Sequence, residues 1–367
     1  MSGGDLVSSG LPAPATAAEA DALALQAARG VSPNQRAWAR FKRNRLGYVS
    51  LWLFIALLVV TTLAELVSND LPYLARIDGQ LLVPIVDNPS EQAVGGDFIT
   101  PTDWKDPFIT KLLEQPGNWS VGAPNPHSAT STDYFAKLPP PARPSAENWL
   151  GTDSQGRDML ARLVYGFRVS IWFALALTVT GTVIGMAMGA LMGYFGGRID
   201  LTLQRLIEIW GAIPELYLLI IFASIFEPSL LLLLLLLSLW GWMGLSDYVR
   251  AEFLRNRGLE FVKAARALGL SNRQIIWRHV LPNSLTPVIT FLPFRMSAAI
   301  LALTSLDFLG LGVPASVPSL GQLLQQGKAN LDAWWIIVPT FVLLTVTMLL
   351  LTFIGDALRD AFDTRKS

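Results

Sequence analysis

The sequence predicts an all-α membrane protein of six transmembrane helices, with a long external insert between the first and the second. Three observations carry this. Of the 367 residues, 52% are hydrophobic and only 15% charged, whereas a soluble domain would carry close to a quarter charged residues. The apolar residues gather in blocks long enough to cross a bilayer, which takes about 20 residues of helix. Basic residues crowd one flank of the first block, at Arg36, Arg40, Lys42, Arg43 and Arg45, which is the mark of a cytosolic side. The near-zero net charge gives no reason to expect nucleic-acid binding. The absence of cysteine removes disulfides, thiol catalysis and thiolate metal sites. Two isolated histidines, His127 and His279, do not suggest a metal centre.

Taken in order, residues 1–35 read as a flexible cytosolic tail, rich in Ala, Ser and Gly, with a short helix around 17–28. They lack the basic start and compact apolar core of a cleaved signal. Residues 36–67 hold the basic cytosolic approach and the first span, 47–67 (GYVSLWLFIALLVVTTLAELV). Residues 68–150 form the external insert, rich in Pro, Asp, Asn and Trp, with strand-like runs such as 81–86. Trp104, Trp119 and Trp149 are expected to anchor it as a small folded cap. Residues 151–367 form the core that carries the other five spans. The second covers 169–195, and the third and fourth share 213–245, divided at Glu227-Pro228. The fifth covers about 285–306 and the sixth 334–354. Alternation from a cytosolic N-terminus places 250–279 and the C-terminus in the cytosol. The Gly- and Pro-rich stretch 306–324 is expected to dip back toward the spans from outside.

Several local patterns point to particular work. Ahead of span two, Leu160, Leu163, Val164 and Phe167 share a helical face with Arg162 opposite, as in an amphipathic helix lying at the outer interface. Within span two, Gly181, Gly185, Gly189 and Gly193 recur every fourth residue, a stripe that lets another helix backbone approach closely. In the loop after span four, LEFVKAARALG (259–269) sets Phe261, Val262, Ala265 and Leu268 on one face of a short helix. Gly269 suits its C-terminal cap. Ser271 and Gln274 form a capping box that opens a second helix, expected to end near Pro282. Small Ala264 and Ala265 are where a partner could approach. The nearest approach to a phosphate loop, Gly321-QLLQQ-Gly327-Lys328-Ala329, is one residue too long and has Ala where Ser or Thr would bind magnesium.

The loop is similar to the EAA loop of bacterial ABC importer permeases: Ala264, Ala265, Gly269, Leu281 and Pro282 match in register. Lys263 stands where that family usually has Glu, and His279 where it usually has an aliphatic residue. GTDSQGRD (151–158), LDFLGLGVP (306–314), PSLGQLL (318–324) and GDALRDAFD (355–363) resemble the C-type subunits of the dipeptide/oligopeptide permease family. The insert and the RAWARFKRNRLGY stretch (36–48) look most like its YejE branch.

That resemblance implies the six-helix fold of type I importer permeases, in a bacterial inner membrane and in contact with its lipid. It implies a transport subunit without an enzyme's active site, which moves oligopeptides or peptide-like solutes inward. The expected partners are a homologous second permease forming a heterodimer, two ATP-binding subunits and a periplasmic substrate-binding protein. No cofactor is expected on this chain, with ATP and Mg held by the ATPase subunits. The loop 259–282, with Glu260, Lys263, Ala264, Ala265, Gly269 and Pro282, would then couple hydrolysis to transport. Arg295 lies about ten residues into span five, where an ionisable group is costly and faces protein or water. It either attracts a peptide carboxylate along the path, or meets a structural partner such as a carbonyl freed by Pro293 or an acid of the second permease. A nickel or other small-solute permease of the same family is the nearest alternative. An ion-coupled secondary transporter is a more distant one, and it would need buried acid or His relays.

Overall fold

The structure is a computed structural model that describes residues 33–132 and 139–363. The expected helix at 17–28, most of the tail, and Arg365 and Lys366 lie outside the described residues. The chain is mostly helical. Helix α1 (Pro33–Arg43) leads into α2 (Arg45–Thr62), whose N-cap Asn44 accepts a hydrogen bond from the Gly47 N–H at 3.1 Å. Phe41 is buried against Ala357 and Ala361, so the start of α2 lies beside the end of the last helix, and the two run antiparallel. Gly47 allows this approach, because a methyl there would collide with Ala357.

The insert folds as a small unit of its own. Strands β1 (Leu74–Ile77), β2 (Gln80–Leu82) and β3 (Trp119–Val121) form a sheet in the order β2-β1-β3, and helix α3 (Pro107–Leu113) lies nearby in the chain. Asp78 and Gly79, both at positive φ, make the two-residue turn between β1 and β2. Its core is Ala75, Ile77, Val94, Trp104 and Ile109, and the Trp104 indole donates to Asn88 at 2.9 Å. Two expectations are corrected. The strand stops at Leu82, short of the run 81–86. Trp119 and Trp149 are 40% and 53% exposed, so Trp104 alone of the three anchors this core.

Helix α4 (Met159–Phe195) is one continuous helix, capped by Asp158, which accepts from the Ala161 N–H at 2.8 Å. Its 37 residues rise about 55 Å, well past the hydrocarbon thickness. The separate interfacial helix expected before span two is therefore its first turns. Arg162, expected on an outer polar face, is completely buried between Asp153, the Ala129 carbonyl and Gln322. Ala129 and Gln322 come from segments distant in sequence, and Asp153 lies in the loop before the helix, so helical periodicity could not reveal them.

The third span is a bent pair, α5 (Gly197–Gly211) and α6 (Glu215–Ile225), angled by 63° at a break that contains Pro214. It begins well before residue 213. After the Glu227-Pro228 division come α7 (Leu230–Ser238) and α8 (Met243–Asn256), a fourth span broken by a turn at 239–242 and running past residue 245. Short α9 (Glu260–Ala267) and α10 (Asn272–Ile275) follow. A π-helical turn, Ile276–Val280, then joins α10 to α11 (Leu281–Phe308) without interruption. Helix α12 (Leu320–Ala329) packs between α11 and α13 (Trp334–Phe362). Among the described residues five helices are long and apolar enough to span a membrane, or six when the bent pair counts as one. The main core joins Met159, Phe167, Ile171, Ile300, Leu303 and Ile336 of α4, α11 and α13.

Candidate functional site

The loop end of the bundle carries α1, residues 257–282 and the end of α13. Helix α9 is short, yet both its ends are fixed. Leu270 N–H donates to the Ala265 carbonyl at 3.2 Å and Gly269 N–H to Arg266 at 3.0 Å. This is the paired C-terminal bonding that needs a left-handed residue at Gly269, whose φ is +80°. Ser271 and Gln274 then cap α10 reciprocally. Val262 and Ala265 are buried with Phe253, Ile275 and Val280. Ala265 is thus inside, where its small size lets α9 sit close to the bundle, and is not a partner-facing position as expected. Ala264 is exposed, together with Leu259, Phe261, Leu268 and Trp277; Leu268 is 80% exposed. Glu260 and Lys263 pair at 2.8 Å on the exposed side, a contact worth little in water.

Pro282 does not end the second helix. Proline inside a helix loses a donor and presses on the carbonyl four residues earlier. Here the wider π turn lies just ahead of it. The Asn283 side-chain amide donates to the His279 carbonyl at 2.7 Å, and Ser284 Oγ to Val280 at 3.0 Å. A continuous rod therefore runs from Asn272 to Phe308. Its first residue receives a hydrogen bond from Tyr194 Oη at 2.8 Å, and Arg257 donates to the Tyr194 carbonyl at 3.2 Å. The loop is tied in this way to the end of α4.

Along α4 the glycine stripe faces α8. A methyl at Gly185 would lie 2.9 Å from the Trp242 carbonyl oxygen; at Gly189, 2.5 Å from that of Ser246; and at Gly193, 2.5 Å from that of Arg250. At Gly181 it would meet the Arg295 guanidinium at 2.5 Å and the Gly241 carbonyl at 3.1 Å. Arg295 Nη2 donates to that carbonyl at 2.8 Å. The turn at 239–242 is what frees it, since no helix continues through Gly241. The carbonyl comes from this break and not from Pro293. Arg295 and Gly241 line a cavity of about 240 Å³ with Glu215, Trp240, Leu177 and Thr178. Glu215 escaped the sequence reading. Its signal was an acid directly after Pro214 within an apolar stretch. Asp200 was also missed; it takes a bidentate pair from Arg250 at 2.6 and 2.8 Å and fastens α5 to α8.

At the opposite end, Asp153 accepts from Arg157 at 2.7 Å and lies 3.8 Å from Arg162. Arg157 also donates to the Ala315 carbonyl, and Ser154 to Gln326. Buried Asp307 accepts from the Val313 N–H at 2.8 Å and from Ser319 Oγ. The segment 151–158 thereby closes on residues 315 and 326, and 306–314 on 318–324. The stretch 321–329, weighed as a phosphate loop, lies in regular α12, where a methyl at Gly327 would meet Ile337 at 2.7 Å. A straight helix does not wrap a phosphate.

Comparison with known proteins gives a consistent answer. Residues 163–367 match the family model for the binding-protein-dependent transport system inner membrane component. Residues 32–84 match the N-terminal TM domain of oligopeptide transport permease C. The inner membrane ABC transporter permease protein YejE of Escherichia coli is 47% identical, across 91% of this chain and 98% of its own length. The peptidoglycan transport system permease protein YejE of Agrobacterium fabrum is 43% identical, across 91% and 93%. The dipeptide transport system permease protein DppC of Lactococcus lactis is 30% identical, across 91% of each. A solved structure of the inward-facing MetNI methionine ABC transporter aligns with a TM-score of 0.47 at 20% identity, over 55% of this chain and 97% of that one.

Proposed function

The chain belongs to the family of binding-protein-dependent transport system inner membrane components, and on that premise we propose that it is the peptide-conducting permease subunit of an ATP-driven bacterial importer. The observation that carries the reading is the 47% identity to a named ABC permease over nearly the whole of both chains. Its partners would be a homologous second permease, two ATP-binding subunits at the loop end and a substrate-binding protein at the insert end. The loop end is cytosolic in this reading, which the basic cluster at Arg36, Arg40, Lys42, Arg43 and Arg45 supports. ATP hydrolysis belongs to the partner subunits.

The loop 259–282 couples the two activities. Leu259, Phe261, Leu268 and Trp277 offer an exposed apolar face to an ATPase cleft, with Ala264 leaving room beside them. Val262 and Ala265 fix α9 to the bundle, so a displacement of α9 is not absorbed locally. The rod Asn272–Phe308 then carries it about 35 Å, to the level of Arg295, at 1.5 Å per residue. A lever of this kind needs a two-state bundle that both ATP and substrate bias.

The test is peptide uptake by the complete transporter in liposomes, with docking of the binding protein measured on the same vesicles. Gly269→Val forces a β-branched residue toward the left-handed region, at about 1–2 kcal/mol. Uptake should fall sharply while assembly and docking persist. Ala264→Glu should do the same by obstructing the exposed face. Wild-type uptake by both variants at normal levels would remove the loop from the coupling role. Absence of ATP-dependent peptide uptake by the wild-type complex would remove the transport reading itself.

A further inference from the structure

We propose that the cavity between α4, α6, the α7–α8 turn and α11 is a two-point site for a short zwitterionic peptide, with Arg295 taking the carboxylate and Glu215 the ammonium group. This rests on the peptide-transport reading and names the part of the path that would recognise the cargo.

The charges are the first observation. Arg295 and Glu215 line one cavity inside the apolar bundle. Opposite charges in such surroundings attract strongly and ordinarily close into an ion pair. Here they do not, because no ion pair joins them and Arg295 instead donates to the Gly241 carbonyl. That bond occupies Nη2 and holds the guanidinium beside Gly181, where there is no side chain to displace it. Two charged groups of opposite sign are thus held apart on the walls of one space.

The second observation is the wall around these two groups. Arg295 Nε, the Trp240 indole N–H and the Thr178 hydroxyl are buried, and none has a hydrogen-bond partner within the protein. All three residues line the same cavity. Those polar atoms lie within the wall and not on its surface, so the groups a ligand meets are the guanidinium end of Arg295 and the Glu215 side chain. The Trp240 ring is fixed by stacking on Trp210 at 5.5 Å, which holds this part of the wall in place. A carboxylate accepts several bonds and matches the fork of a guanidinium. The remaining walls, Leu177, Leu237, Ala298, Ala299 and Ala302, are apolar or small. They suit the body of a small peptide and offer its side chains no polar contact, which would leave the two ends as the recognised features.

The size agrees. About 240 Å³ lies just below the usual range of small-ligand sites, roughly 300–1,000 Å³. It suits a peptide of two or three residues.

The cysteine-free chain permits a direct test in the assembled transporter. Ala298→Cys places a thiol on the cavity wall, and its alkylation rate is followed with and without Ala-Ala, Ala-Ala amide and N-acetyl-Ala-Ala. Background labelling is measured on the same complex without the substitution. Ala-Ala should protect the thiol, and each end-blocked analogue should need about tenfold or more concentration to do so, as expected for loss of one charge-assisted contact. Arg295→Gln should erase the distinction between Ala-Ala and its amide, and Glu215→Gln that between Ala-Ala and its acetyl form. Equal protection by all three peptides, or none by any, would overturn the site. So would failure of Arg295→Gln to assemble with the second permease, which would assign the arginine to a subunit contact. Restoration of normal behaviour by exchanging the two charges, Arg295→Glu with Glu215→Arg, would make them a structural pair. Uptake of Ala-Ala by the unmodified complex separates the outcomes. Uptake without end-dependent protection sinks only the site, whereas no uptake of any peptide sinks the transport reading along with it.

Discussion

Gly189 and Gly244 lie on helices that pack against each other, yet a methyl group would meet opposite surroundings at the two. At Gly189 it would fall 2.5 Å from the Ser246 carbonyl oxygen and 2.7 Å from Val249 Cβ, whereas at Gly244 nothing lies within 4 Å. Gly189→Ala should therefore part α4 from α8 and cost about 1–3 kcal/mol through overpacking. Gly244→Ala should be neutral, or stabilise by about 0.5–1 kcal/mol through lower chain entropy. Thermal unfolding of both variants in one detergent decides it, and an equal response would mean that the stripe is not a close contact. Asp153 gives a second test at this scale. It is the buried anion beside Arg157 and Arg162, all three nearly inaccessible. Asp153→Asn leaves two buried cations without their anion, and a loss of about 3–5 kcal/mol is expected. An unchanged melting temperature would show that the arginines are satisfied by Ala315, Ala129 and Gln322 alone.

Among the elements, the rod from Asn272 to Phe308 is the one whose continuity has a consequence for coupling. A π turn is wider than an α turn, and here it is the means by which Pro282 is carried inside a helix. Pro282→Ala restores a backbone donor and removes the ring, which in a regular helix interior costs about 3 kcal/mol relative to Ala. The variant should be no less stable than the parent. Its uptake should fall nevertheless, because a π turn relaxed to α rotates α10 relative to α11, lengthens the rod slightly and moves α9 with it. Unfolding temperature and ATP-coupled uptake on one preparation check this pair of effects. Reduced stability together with normal uptake would show that the turn is not held by the proline.

At the scale of the whole molecule, the proposed topology predicts opposite labelling of its two ends. The exposed tip of the insert includes Val86, 83% accessible, and the loop end includes Leu268. Asn125, though in the insert, is buried and hydrogen-bonded to Ser68 and Asp158, so a thiol there would report burial rather than side. Val86→Cys should react with an impermeant maleimide added to intact cells, and Leu268→Cys only after the membrane is opened. The reverse pattern would invert the topology and place the exposed face of α9 on the wrong side for any ATPase.

The apolar blocks, the basic flank of the first span, the glycine stripe, the positive φ at Gly269 and the capping box at Ser271 were all legible in the sequence. Each depends on residues within a few positions of one another, where helix period and backbone sterics act directly. The division at Glu227-Pro228 was legible for the same reason. The burial of Arg162, the inward position of Ala265, the continuity through Pro282 and the placing of Glu215 and Arg295 on one cavity were not. Those rest on partners outside the local helical spacing: Ala129 and Gln322 for Arg162, Phe253 and Val280 for Ala265, and the Gly241 carbonyl for Arg295. Composition and local spacing determined which segments are apolar enough to cross the membrane, how α9 is closed at Gly269 and how α10 is opened at Ser271. Only the tertiary structure decided which side of each helix became interior, because burial is set by what a helix packs against, and local spacing does not contain the identity of that neighbour.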